Sequence, residues 1–315
     1  MNRKTLLIAL SLFAATVFSQ AAFAQGLNWE GQTGALITPF AYTAGSPARK
    51  FGKPEVAFHY LNAGNVIGND YQFSITEGFA KRFEAGFTQA FSSSGSSPLS
   101  PLFSNGFSEL HGKFTLLPEN AFKSKWIPAI AVGAIGRFGN QRVSYYTTGA
   151  NLVHGSSQDN GDFYIVATKT VTKFKALPFV LSFGDKVTNA SVMGVAGNAG
   201  NALNSDQRWQ GRLFGAAAFV VKGPAKSALI FGAEALQEPR YIQGLNNYLT
   251  GESESRVSAN IPTSFAYFLR VVPHLAGSRL QVDLGVAQFA GKIAPGVLPT
   301  LDARARVGTG ISYHF

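Results

Sequence analysis

Apolar and polar residues alternate along most of this chain, and the alternation predicts strands. In Arg279–Ala290, Leu280, Val282, Leu284 and Val286 share one face, while Arg279, Gln281, Asp283 and Gly285 share the other. In Gly106–Leu117, Leu110, Phe114 and Leu116 oppose Glu109, His111, Lys113 and Thr115. A period of two places successive side chains in two different environments. The same reading gives about twelve strands, with ten to fourteen allowed. The first six are Glu55–Leu61, Asp70–Glu77, Ala80–Phe91, Gly106–Leu117, Trp126–Phe138 and Asp162–Lys173. The others are Pro178–Asp185, Gln207–Val221, Ala228–Gln237, Ile261–Val272, Arg279–Ala290 and Ala303–Phe315. Trp126 to Ile135 is apolar on both faces. Phe79, Phe83, Phe87 and Phe91 recur at a spacing that also suits a helix, but Gly86 and Thr88 beside them favour a strand.

The connections between these strands alternate in length. Ser92–Asn105, Gly139–Gly161, Lys186–Asp206 and Glu238–Asn260 are long, and Pro118–Lys125, Phe174–Leu177, Lys222–Ser227 and Pro273–Ser278 are short. Bacterial membrane barrels have short turns on one side of the membrane and long loops on the other. The pattern therefore predicts an all-β fold: one up-and-down antiparallel transmembrane barrel.

The closing stretch Ala303–Phe315 sharpens that expectation. Phe315, Tyr313, Ile311, Thr309, Val307, Ala305 and Ala303 form one face; His314, Ser312, Gly310, Gly308, Arg306 and Arg304 form the other. This resembles the closing strand of Gram-negative outer-membrane β-barrel proteins, porin-like ones among them. Those strands end in Phe, with aromatic or apolar residues at alternate positions before it. The resemblance covers Ala305, Val307, Ile311, Tyr313 and Phe315. It implies an outer-membrane location and contact with outer-membrane lipid and lipopolysaccharide. It also implies that Ile311, Tyr313 and Phe315 form the signal read by the barrel assembly machinery.

Met1–Lys4 is basic, Leu6–Phe18 is apolar, and Ala22-Phe23-Ala24 is an A-x-A-like site, the pattern of a secretory signal peptide cleaved after Ala24. The apolar run is too short for a spanning helix, which needs about twenty residues. The expected organisation is a signal peptide over 1–24, an N-terminal periplasmic or plug segment over 25–54, and the barrel over 55–315. Charged residues make up only 14% of the chain, against about 25% in ordinary globular proteins, while 46% are hydrophobic. That balance suits strands with one face against lipid. The chain has no cysteine, which excludes a lipidated Cys, disulfides and thiolate metal sites.

Gly26–Ala44 is rich in Gly and Thr, and Pro39 interrupts any strand there. It reads as a segment folded into the lumen, or else as an extra strand or a periplasmic tail. Gly31-Gln32-Thr33-Gly34 with Pro39-Phe40-Ala41 is similar to the mature start of exopolysaccharide-associated barrel proteins.

Motifs for chemistry are sparse. His154-Gly155-Ser156-Ser157 echoes the His-x-Ser-Asn-Gly motif of outer-membrane phospholipases but departs from it at Ser157 and Gln158, and no base or orienting group accompanies it. No catalytic residue, metal site or cofactor is assigned, and an exported barrel does not meet nucleic acid. Charge sorted by strand face is the stronger signal. With the apolar faces toward lipid, Arg82, Lys113, Arg208, Arg212, Arg270, Arg279, Arg304 and Arg306 are expected in the lumen, against the acids Glu84, Glu109 and Asp283. A basic lumen concentrates anions. The function expected first is therefore a narrow channel for small anionic solutes. The alternatives are a closed structural or accessory barrel in envelope assembly or polysaccharide export, and a barrel lipid hydrolase. An open lumen lined by these Arg residues favours the first. A lumen packed by Phe268, Phe289 and the N-terminal segment favours the second.

Overall fold

The computed structural model describes residues 26–64, 68–93, 95–96, 106–139, 159–174, 177–190, 209–243, 257–260, 262–274, 279–289 and 305–315. The expected signal peptide over 1–24, the His154–Ser157 motif, Arg208 and Arg304 lie outside the described residues.

Twelve strands form a closed barrel. They are β1 (Glu55–Asn62), β2 (Asn69–Phe79), β3 (Phe83–Ser92), β4 (Phe107–Leu117), β5 (Ala129–Gly139), β6 (Asn160–Val171), β7 (Phe179–Thr188), β8 (Gln210–Lys222), β9 (Ala228–Leu236), β12 (Ser264–Val272), β13 (Leu280–Phe289) and β14 (Arg306–His314). Between β9 and β12 the chain forms a separate two-stranded ladder of β10 (Arg240–Gln243) and β11 (Val257–Asn260), where the sequence suggests only a long loop. Each barrel strand pairs antiparallel with its neighbours in order. β14 closes the cylinder against β1, from Glu55↔His314 to Leu61↔Gly308.

Burial alternates along these strands and separates an inner from an outer face. The outer face is apolar and open, with Phe73 at 54% exposure, Leu110 at 55%, Phe163 and Phe183 at 61% and Val307 at 61%. Water does not tolerate so extended an apolar belt, whereas bilayer hydrocarbon does. The Phe residues of the four-residue repeat lie on strands: Phe83, Phe87 and Phe91 point outward from β3, and Phe79 precedes them on β2. One end of the cylinder carries the short turns, the start of β1 and Phe315. The other carries the long connections.

Several strands begin later than expected, and in two of them the later start takes a candidate residue out of the wall. Ala80 and Lys81 have φ of +53° and +59°, and Arg82 N–H donates to Phe79 C=O at 3.1 Å, so Ala80–Arg82 is a three-residue hairpin turn. Arg82 is therefore exposed at the short-turn end, not in the lumen. Arg279 likewise precedes β13 and is exposed at the same end, its C=O accepting from His314 N–H.

Candidate functional site: a lumen filled by the N-terminal segment

The inner wall has two halves. On β13, β14 and β1 to β4 it is polar, with Glu55, His59, Asp70, Gln72, Thr76, Glu84, Thr88, Glu109, His111, Lys113, Gln281 and Asp283 all buried. On β5 to β9 and β12 it is largely apolar, with Ile135, Val166, Val180, Phe214, Val220, Ile230, Leu236 and Phe268 buried in one cluster. The Phe289 side chain lies outside the described residues.

Residues 26–44 occupy the space between these halves. Their polar and apolar residues sort to match. Ala35, Leu36, Ile37, Phe40 and Ala41 complete the apolar cluster. Asn28, Glu30, Gln32 and Thr33 are buried among polar groups. The Asn28 side chain accepts from Glu30 N–H at 3.1 Å and from Gln32 N–H at 2.8 Å, which tightens a turn through Gly31. Gly31 has φ +80°, and a Cβ there would overlap Thr88 Oγ1 and Ser74, so the close approach to β2 and β3 requires glycine.

Five charged side chains hold the segment from around the barrel. Glu234 on β9 accepts from Leu36 N–H at 2.7 Å, Ile37 N–H at 3.1 Å, Thr38 N–H at 2.7 Å and the Thr38 hydroxyl at 2.6 Å. Glu84 on β3 accepts from Thr33 N–H at 3.1 Å, the Thr33 hydroxyl at 2.5 Å and Ala44 N–H at 2.7 Å. Lys113 on β4 pairs with Glu84 at 3.0 Å and donates to Thr33 C=O at 2.9 Å. Arg137 on β5 pairs with Glu30 of the segment and with Asp162 on β6, the latter at 2.9 Å, and lies 3.5 Å from Glu109. Arg270 on β12 forks onto Asp283 at 2.8 and 3.0 Å and donates to Gly34 and Ala35 C=O at 2.9 and 3.0 Å. Buried carboxylates and guanidinium groups need such partners, because an unpaired charge in this interior is costly.

Outside the strands, the Tyr42 hydroxyl donates to Glu119 at 2.9 Å and meets Thr170 at 2.6 Å. Burial, and then the Glu119 carboxylate, push the Tyr42 phenol well above its ordinary value.

The structure thus brings Lys113 and Arg270 of the expected basic set into the lumen, each already paired with an acid and with the segment. Arg212 and Arg306 are half-buried on the inner side near the long-loop end. Arg212 donates to Glu238 C=O at 2.9 Å, and the Arg306 guanidinium lies against Gly64. Among the fully buried charges of the described wall, acids are in excess. Buried Glu55, Asp70, Glu84, Glu109, Asp162, Glu234 and Asp283 on the wall outnumber Lys113, Arg137, Lys186 and Arg270. Ile311 and Phe315 are exposed at 45% and 49%, and Tyr313 stacks edge-on against Phe315 at 5.1 Å.

Sequence reasoning missed Arg137, Asp162 and Glu234. Arg137 and Glu234 are single charges inside runs that are apolar on both faces. The available signal was the charge itself: a lone ionised residue in such a run must find a buried partner.

The fold and its surface define the class: a transmembrane β-barrel, here with a filled lumen. No protein-family model matches the chain, and no curated protein matches it in sequence. Similar solved structures include the KdgM porin, at 9% identity and TM-score 0.43 over 83% of this chain and 99% of the porin. The NanC porin gives 8%, 0.42, 83% and 98% for the same measures. An outer membrane channel from Pseudomonas putida gives 11%, 0.44, 89% and 100%. Likeness at this level carries no inference about solutes.

Proposed function

We propose that the protein is an outer-membrane barrel held shut by its own N-terminal segment, a structural or accessory component of the envelope and not an open diffusion pore. One observation carries this reading: residues 26–44 pack into both halves of the lumen wall. Leu27, Trp29, Leu36, Ile37 and Phe40 are each at most 5% exposed. At about 1.5–3 kcal/mol per buried large apolar side chain, withdrawing them into water costs on the order of 10 kcal/mol. A segment with that much at stake does not leave the lumen spontaneously. The short turns, β1 start and C-terminal strand belong on the periplasmic side, where Ile311, Tyr313 and Phe315 serve assembly.

A second reading, a channel opened by displacing the segment, is favoured by the polar half of the wall. That half would line a hydrated path. Its acid excess would select cations, which weighs against the small anionic solutes expected from the sequence. Planar-bilayer recording separates the two readings. The closed-barrel reading expects no conductance steps from the intact protein, and none under voltage or a salt gradient. Steps from the intact protein would overturn it. Steps confined to a variant lacking residues 26–44 would show that the segment is what closes the lumen.

A further inference from the structure

The outward face of β6, β7 and β8 carries a charge that lipid does not explain. Along β7 the outward positions are Phe179, Leu181, Phe183, Asp185 and Val187. Asp185 is exposed, and its cross-strand neighbours are Ile165 on β6 and Leu213 on β8, themselves 48% and 44% exposed. Beyond it toward the long-loop end, the tilted rings of Phe163 and Trp209 meet with centroids 5.6 Å apart. Asp185 stands three residues inside the last residue of β7, about 8 Å below the strand end for a tilted strand. It therefore lies within the apolar belt, under that aromatic pair. Lys and Arg can reach the interface from such a depth along their stems, but Asp is too short.

Asp185 has no hydrogen bond or ion pair among the described residues. The other outward charges on described barrel strands differ. Glu77 and Lys169 each lie two residues from the short-turn end of a strand, and Lys169 pairs with Glu119 at 3.1 Å. An ionisable group facing hydrocarbon is costly, and such groups mark function. Beside Asp185 the surface is dented: Gly211 and Gly215 flank Leu213 on the outward face of β8, and a Cβ on Gly211 would come 3.9 Å from Asp185 Oδ1. Two glycines let another backbone approach closely.

We propose that this face docks a membrane-embedded partner polypeptide, whose Lys or Arg pairs with Asp185 over Gly211. Charge complementarity selects the occupant. A second copy of this chain offers no free outward base on the described strands, since Lys169 is already paired. Lipopolysaccharide phosphates are themselves anionic and sit above the aromatic pair.

The test places a photo-crosslinking amino acid at Leu213 and irradiates intact cells carrying either Asp185 or Asp185→Asn. Heat-dependent gel mobility checks that both barrels fold. The expected result is a discrete adduct whose partner has a Lys or Arg at this depth. Its yield falls more than about tenfold in Asp185→Asn, as for other desolvated charge pairs. Asp185→Lys combined with the partner's base changed to Asp restores the adduct. An adduct with lipid alone, an adduct with a second copy, or a yield unchanged by Asp185→Asn would each overturn the proposal.

Discussion

Glu234 gives the sharpest handle on the filled lumen. Its two oxygens face only donors: three successive backbone N–H groups of the segment and the Thr38 hydroxyl. Glu234→Gln keeps the shape and replaces one acceptor oxygen by an NH2 donor. If Oε1 is replaced, the Leu36 N–H loses its acceptor and Ile37 keeps only its bond to Oε2 at 3.1 Å. If Oε2 is replaced, the Thr38 N–H is stranded and its hydroxyl must turn away. One or two buried donors left unpaired cost about 1–3 kcal/mol each, and the surviving bond loses its charge assistance. The expected destabilisation is therefore about 2–4 kcal/mol. It is measured by urea unfolding of the refolded protein in detergent micelles. Trp29, 3% exposed and 5.6 Å from His59, reports the segment directly by fluorescence once Trp126 and Trp209 are replaced by Phe. A red-shifted Trp29 at low urea, with the barrel still intact on a gel, would show the segment leaving first. A Glu234→Gln protein within about 0.5 kcal/mol of the parent, the scatter of neutral surface changes, would refute the reasoning.

Three further outcomes follow from the same geometry. Arg137→Ala leaves Glu30, Glu109 and Asp162 facing one another without their shared cation, and a loss of about 3–5 kcal/mol is expected in the same unfolding assay. Gly31→Ala forces a Cβ against Thr88 and Ser74 at a left-handed backbone position, so a lower melting temperature in heat-dependent gel mobility is expected, while Gly112→Ala, whose Cβ would meet only the Glu84 C=O at 3.9 Å, should be near neutral. Folding holds the Tyr42 phenol protonated while the unfolded chain ionises near its ordinary value of about 10. Its stabilisation is thus full below that pH and falls as pH rises further, and Tyr42→Phe should flatten the decline of stability expected above about pH 10.

The sequence reveals the barrel because lipid imposes its pattern on every strand. Outward positions must be apolar wherever they meet hydrocarbon, so Leu280, Val282 and Leu284 alternate with Gln281 and Asp283 whatever the lumen holds. The lumen is less legible, and for a physical reason. Where the inner wall packs on Leu36, Ile37 and Phe40, it too is apolar, and the period-two contrast disappears from β5. Arg137 is hard to place in such a run. Glu234 meets amide groups almost two hundred positions away in sequence, a pairing that no local pattern encodes. Arg82 is hard to place from sequence because Ala80 and Lys81 make their hairpin without the Gly or Asn that usually announces positive φ. The excess of buried acids follows from the same blind spots, since Asp162 and Glu234 are visible as lumen residues only once their partners are.

The claim that the segment fills the lumen is tested most directly by thiol labelling in intact outer membranes. The chain has no cysteine, so Ala41→Cys introduces a single thiol at a position that is 0% exposed beside the apolar wall. The filled-lumen structure predicts that a small maleimide applied from either side leaves Cys at position 41 unlabelled until urea unfolds the barrel. Rapid labelling of the folded protein would contradict it.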